Sequence, residues 1–235
     1  MNLEGKRNIV IALRILYPIW MLIGIFSMIY VPSTLIDYED IPKTLDNITN
    51  QQFLFRLGIF GRLVTQLFFI LIPLLLYQLF KDFQAFASLL MLGLALSSVP
   101  ITMYSEVSQL NMLEVLSELD TAMALLDTYW NALDISILFW GLWLFPLGWL
   151  VYQCNGFPKV IGIALYVGGV GYLLDAVIDL LFPDFKRLNQ LLEILTIGET
   201  IFILWLVIMG IRKEKNVESS IEIVEESLIA MEENA

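Results

Sequence analysis

Between Leu63 and Phe80 the chain reads "LVTQLFFILIPLLLYQLF", eighteen residues without a charge. In a helix that run is about 27 Å long, close to the roughly 30 Å hydrocarbon core of a bilayer. It is one of six such blocks, at approximately 8–31, 56–80, 84–103, 129–152, 159–182 and 194–212. The blocks are continuously apolar and do not alternate with period two, which selects helices over a barrel. Composition agrees. The chain is 58% apolar and 16% charged, with a mean hydropathy of +0.77, whereas soluble domains have about 45–50% apolar and about 25% charged residues. The expected fold is all-α: an integral membrane bundle of six transmembrane helices over residues 1–212, followed by an acidic tail, 213–235. The first block is too long for the apolar region of a removable leader and lacks a small-residue cleavage site.

Lys and Arg near the ends of the blocks set the expected orientation. With six crossings, one side carries Lys6, Arg7, Lys81, Lys159, Arg212, Lys213 and Lys215, and the other only Lys43, Lys186 and Arg187. The imbalance favours a plasma-membrane protein with both termini in the cytoplasm. The net charge of −11 makes nucleic acid an implausible partner. The absence of histidine excludes Ser-His-Asp chemistry, HExxH zinc sites and His-ligated haem. A lone cysteine, Cys154, excludes an internal disulfide and any multi-cysteine metal site. No metal or cofactor is expected.

Three segments outside the blocks carry signals. The acidic stretch "PSTLIDYEDIPKTLDNITNQQ" reads as a solvated connector, with a glycosylation sequon at Asn47 that matters only in a eukaryotic secretory pathway. Residues 106–127 place Met112, Leu116, Leu119, Met123 and Leu126 at 4-3-4-3 spacing, the pattern of an amphipathic helix capping the bundle. In the tail, Val217, Ile221, Val224, Leu228 and Met231 repeat that pattern among glutamates, as a short cytoplasmic helix or a docking segment for a protein partner. The glycines of "GIALYVGGVGY" predict close helix packing, and Pro18, Pro73, Pro100 and Pro146 predict kinks.

Charged residues inside the blocks need a reason, because each costs at least roughly 2.5–3.5 kcal/mol at mid-bilayer. Arg14 can snorkel to the near end of its helix. Arg56, Arg62, Asp134, Asp175, Asp179 and Glu199 fall toward the outer ends of four helices. They predict one buried Arg/carboxylate cluster in the outer half of the bilayer. Asp175 and Asp179, four residues apart, share a helix face and are candidates for a shared proton. Arg62 pairing with Asp175 or Glu199 as a structural clamp is the competing account.

Several stretches together resemble a family of bacterial and archaeal membrane proteins catalogued as domain of unknown function 4386. They are "DIPKTLDNI" with Asp40, Thr44 and Asn47, "FRLGI" with Arg56, "LFWGLWLFPLGWLVYQ", "FPKVIGIALYVGGVGYLLD" and "GETIFILWLVIMG" with Glu199. The resemblance implies a polytopic protein of six or seven helices and no assigned activity. Relatives often carry a histidine near the start of the fourth block, where "YWNALDIS" has none.

Three functions fit these residues. The cluster binds or translocates a small solute, ion or lipid. Alternatively it is purely structural, in a membrane scaffold or regulatory subunit that works through the 217–231 tail. A membrane-embedded enzyme would use a carboxylate as general base and Arg56 or Arg62 to hold an anionic group.

Overall fold

The structure, a computed structural model, describes residues 6–37, 40–182 and 189–211. The described residues are helical apart from short connections, with no strand among them. Five helical rods are long and apolar enough to cross a membrane: Arg7–Leu35, Gln52–Phe80, Ala85–Met112, Leu119–Gln153 and Lys159–Leu181. The 217–231 tail lies outside the described residues.

The first rod comprises α1 (Arg7–Gly24), a π-helical turn (Ile25–Tyr30) and α2 (Val31–Leu35). The connector that follows is not wholly irregular: it contains a further helix, α3 (Ile41–Asn50). The Asp40 carboxylate caps it by accepting from the Lys43 N–H at 3.0 Å. Thr44 Oγ1 donates to the Asp37 carbonyl at 3.0 Å and accepts from its N–H at 2.8 Å. Asn47 Nδ2 donates to the otherwise open carbonyl of Leu35 at the end of α2, 3.2 Å away. Asp40, Thr44 and Asn47 therefore fasten the connector against the end of the first rod, with Leu45 and Ile48 buried beneath it.

Next come α4 (Gln52–Phe80) and α5 (Ala85–Met112), joined by a short turn. The expected block 84–103 stops nine residues short of the true end of α5 at Met112. The expected amphipathic helix 106–127 is accordingly two helix ends meeting at a turn, because α6 (Leu119–Leu142) begins after residues 113–118. Met112 and Leu126 face the same apolar core from different helices, which is why their spacing mimics one continuous face. The rod containing block 129–152 is interrupted at Trp143, and α7 (Leu144–Gln153) completes it. Pro146 has no N–H to give the carbonyl four residues back, and the break falls there. At Pro18, Pro73 and Pro100 the helices run on without interruption.

Glycines set how α8 (Lys159–Leu181) sits between its neighbours. A Cβ at Gly162 would lie 2.8 Å from the Gly148 carbonyl oxygen, and one at Gly169 would lie 3.0 Å from that of Gly141. On the other flank a Cβ at Gly171 would lie 2.7 Å from Leu195 Cβ, and one at Gly198 would overlap the Ala164 carbonyl. Close packing at backbone distance is thus present on two sides of α8. The helix after α8, α9 (Asn189–Ile208), begins five residues before the expected 194. Its C-terminal carbonyls, Val207 and Ile208, accept from Arg14 Nε and Nη2 at 2.8 and 3.3 Å.

Two apolar cores result. One joins Val31, Leu35, Ile48, Phe55, Ile59, Met112 and Leu126 near α3. The larger joins Tyr17, Phe69, Leu76, Met91, Trp143, Leu165 and Phe202 toward the Arg7 end. Between them, at intermediate positions on four rods, lie buried polar residues: Ser27, Arg62, Thr65, Gln66, Thr102, Ser105, Glu106, Gln109 and Ser136.

Candidate functional site

Arg62 lies in this polar seam, 3% exposed, ten residues from the start of α4. Its guanidinium donates from Nε to Glu106 Oε1 at 2.8 Å, from Nη1 to the Ser27 carbonyl at 3.1 Å, and from Nη2 to Gln109 Oε1. The Tyr129 ring lies against it, 5.5 Å from Cζ to centroid. Glu106 is 1% exposed. A planar fork with fixed donor directions suits four helices converging on one point, and a lysine could not reach them all.

The Ser27 carbonyl is available for a reason legible in "SMIYVP". In a π turn a carbonyl accepts from the N–H five residues on, but for Ser27 that residue is Pro32, which has none. The N–H of Val31 is already bonded to the Phe26 carbonyl. Arg62 supplies the missing donor.

The clamp expected from the sequence joins Arg62 to Asp175 or Glu199. The structure instead pairs it with Glu106, which lies beyond the end of the expected third block. A signal for this partner is present: Ser98, Thr102, Ser105, Glu106 and Gln109 recur at helical spacing and share the buried face of α5.

Glu199 occupies different surroundings. It lies ten residues from the start of α9 and nine from its end, so it is central in its helix. The residue is 9% exposed, and Oε1 is buried with no hydrogen-bond partner among the described residues. It forms no ion pair among them. Tyr17 and Tyr172 are within its electrostatic range. Tyr172 is hydrogen-bonded with Thr196, whereas the buried Tyr17 hydroxyl has no partner among the described residues. Gln66 Oε1 and the indole N–H groups of Trp140 and Trp143 are likewise buried and unpartnered among them.

Tyr17 belongs to a connected set of rings. Tyr17 meets Phe202 edge-on at 6.3 Å and Trp20 at 6.1 Å; Trp20 stacks on Phe69 at 6.1 Å; Phe69 meets Trp143 edge-on at 5.4 Å. Ten residues, roughly 15 Å at 1.5 Å per residue, separate Tyr17 from Ser27 along the first rod. The expected single cluster is therefore divided: Arg62 belongs to the seam and Glu199 to the large core. Arg56 is exposed on α4 and joins neither. Asp134 on α6 and Asp175 and Asp179 on α8 are half-buried, each with interaction partners, and none is bonded to Arg62. Gly141 meets Gly169 while Gly148 meets Gly162, so the α6–α7 rod and α8 run antiparallel. That brings Asp134 to about the level of the α8 acids. No group of three or more Cys, Asp or Glu among the described residues is arranged to hold a metal ion.

Five apolar rods of membrane-crossing length, closed around a buried carboxylate and a buried guanidinium, define a multi-pass helical membrane protein. Its chain belongs to the family described as domain of unknown function 4386, whose model matches residues 15–210. It is similar to an uncharacterized protein of Archaeoglobus fulgidus, 34% identical over 98 residues, covering 40% of this chain and 56% of that protein. The chain thus matches little more than half the length of that relative. No solved structure matches.

Proposed function

We propose that this protein binds a small solute inside the membrane, at Glu199, and that Arg62 is a structural clamp. The observation that carries this reading is the Glu199 carboxylate. It is buried, central in its helix, and unpaired among the described residues, as is the neighbouring Tyr17 hydroxyl. Leaving a buried polar atom unsatisfied costs about 1–3 kcal/mol, and more for a charge. Native interiors pair nearly all such groups, so an occupant accounts for atoms the protein leaves open. The Arg62 guanidinium, by contrast, is bonded through Nε, Nη1 and Nη2 to the protein's own acceptors and is the counter-charge of Glu106, whose Oε2 has no hydrogen-bond partner among the described residues.

In the same reading α9 is the sixth crossing. Its 20 residues reach about 30 Å, and Arg14 ties its end to the first helix near the Arg7 end. Both termini then share one side, which the Lys and Arg distribution makes cytoplasmic. Asp175 and Asp179 lie in the last two turns of α8, with Asp134 at about their level, and solute would enter on that side.

The test is substitution of Glu199 by leucine in detergent-purified protein. If the carboxylate exists for an occupant, its removal raises the stability of the empty protein by about 1–3 kcal/mol and abolishes stabilisation by any solute found to bind. Loss of stability on that substitution, with solute binding retained, would mean a structural role for Glu199 and overturn the reading.

A further inference from the structure

We infer that the solute is an organic ammonium ion, held by the Glu199 carboxylate together with Tyr17, Tyr172 and Phe202. This rests on the solute-binding reading and goes further by fixing the sign and chemical class of the ligand.

Charge gives the sign. Glu199 forms no ion pair among the described residues, and the arginines nearest the two cores are committed elsewhere. Arg62 is bonded to Glu106, Gln109 and Ser27, and Arg14 to the carbonyls that end α9. A carboxylate in low dielectric without a counter-charge attracts a cation, and an anion has no group here to receive it. Three kinds of cation are then in question: a proton, a metal ion or an organic ammonium.

Lining decides among them. A hard metal ion takes six or more oxygen ligands, or an octahedral set with water. The described residues offer no cluster of carboxylates or thiolates arranged for one. Two tyrosines, Tyr17 and Tyr172, are within electrostatic range of Glu199, and Phe202, about one turn on along α9, meets Tyr17 edge-on at 6.3 Å. Aromatic faces attract ammonium and quaternary ammonium groups through the ring quadrupole, by about 2 kcal/mol or more where water is excluded. A carboxylate near such rings is the chemistry of an ammonium site. The Tyr17 hydroxyl, without a partner among the described residues, gives such a ligand a further polar contact.

The experiment uses full-length protein in detergent with choline as probe, and 3,3-dimethylbutan-1-ol as its uncharged isostere. Sodium chloride and benzoate serve as metal-cation and anion arms. Thermal unfolding and tryptophan fluorescence are read, the latter because Trp20 lies in the ring set. Choline is expected to raise the unfolding temperature and change the fluorescence, with the isostere inert at equal concentration. Glu199→Gln keeps shape and removes charge; it should weaken choline binding by about tenfold or more, because the ligand's counter-charge is gone. Tyr17→Phe, a milder change that guards against misfolding, should weaken it by about two- to tenfold. Stabilisation by the isostere or by benzoate, abolished in Glu199→Gln, would leave solute binding standing and overturn the ammonium assignment. Equal stabilisation by sodium alone would overturn it in favour of a metal ion. If no arm binds and stability simply rises as pH falls, the occupant is a proton only, and both the assignment and the solute-binding reading fall.

Discussion

Arg62 shows how a single side chain can be indispensable without being a site of chemistry. Removing it strands Glu106, 1% exposed, with no counter-charge. Arg62→Ala is therefore expected to cost about 3–5 kcal/mol, measured by reversible unfolding in detergent. The double variant Arg62→Met with Glu106→Leu should recover most of that loss, because an apolar pair of similar volume replaces the ion pair at little net cost. Arg62→Lys should recover little: an ammonium cannot bond Glu106, Gln109 and the Ser27 carbonyl together. At this scale the sequence is informative about need and poor about partner. A guanidinium in an apolar block must be neutralised, so the burial of Arg62 can be foreseen. Glu106 is out of reach of any reading that ends α5 at residue 103. Glu199 can be foreseen as buried, but nothing in the sequence distinguishes a carboxylate that meets an arginine from one that lies near tyrosines.

Elements are legible in proportion to how strongly their surroundings constrain them. The long apolar runs place α4 and α8 within a few residues, since a membrane leaves the backbone of such a run no alternative to helix. The 106–127 region misleads because periodicity cannot tell one helix from two whose ends face one core, and residues 113–118 contain no glycine or proline to mark the turn. The connector helix α3 is hidden for a related reason: its polar residues make local bonds to Asp37 and Leu35 that composition does not reveal. Three predictions belong here. Gly162→Ala places a Cβ 2.7–2.8 Å from Tyr152 and the Gly148 carbonyl, and should cost about 1–3 kcal/mol by forcing α7 and α8 apart. Gly93→Ala, in open space on α5, should be neutral or stabilise by about 0.5–1 kcal/mol, and the difference between the two is read in the same unfolding assay. Pro32→Ala would return an N–H within reach of the Ser27 carbonyl, in competition with Arg62. A loss of about 0.5–1.5 kcal/mol is expected, and it should vanish when Arg62 is already replaced.

For the molecule as a whole, the proposed sixth crossing and the proposed shared side of the two ends both rest on α9. A reporter fused after residue 211, active only in the cytoplasm, should be active in the full chain. It should become inactive when α9 is deleted, because one crossing fewer moves the fusion point across the bilayer. Apolar blocks and basic residues suffice to expect this arrangement. The division into two cores is not visible in them, since it depends on which faces of α4, α5 and α6 meet, and that is settled by packing.

That division has a mechanical consequence. Where two helices meet through hydrocarbon in a bilayer, parting them only exchanges one apolar neighbour for a lipid tail; across the layer of Ser27, Arg62, Thr102, Glu106 and Ser136 it breaks bonds that lipid cannot replace. That layer acts as a rivet through the first four rods. Amide exchange should find the backbone beside it opening later than the wholly apolar stretches of the same helices.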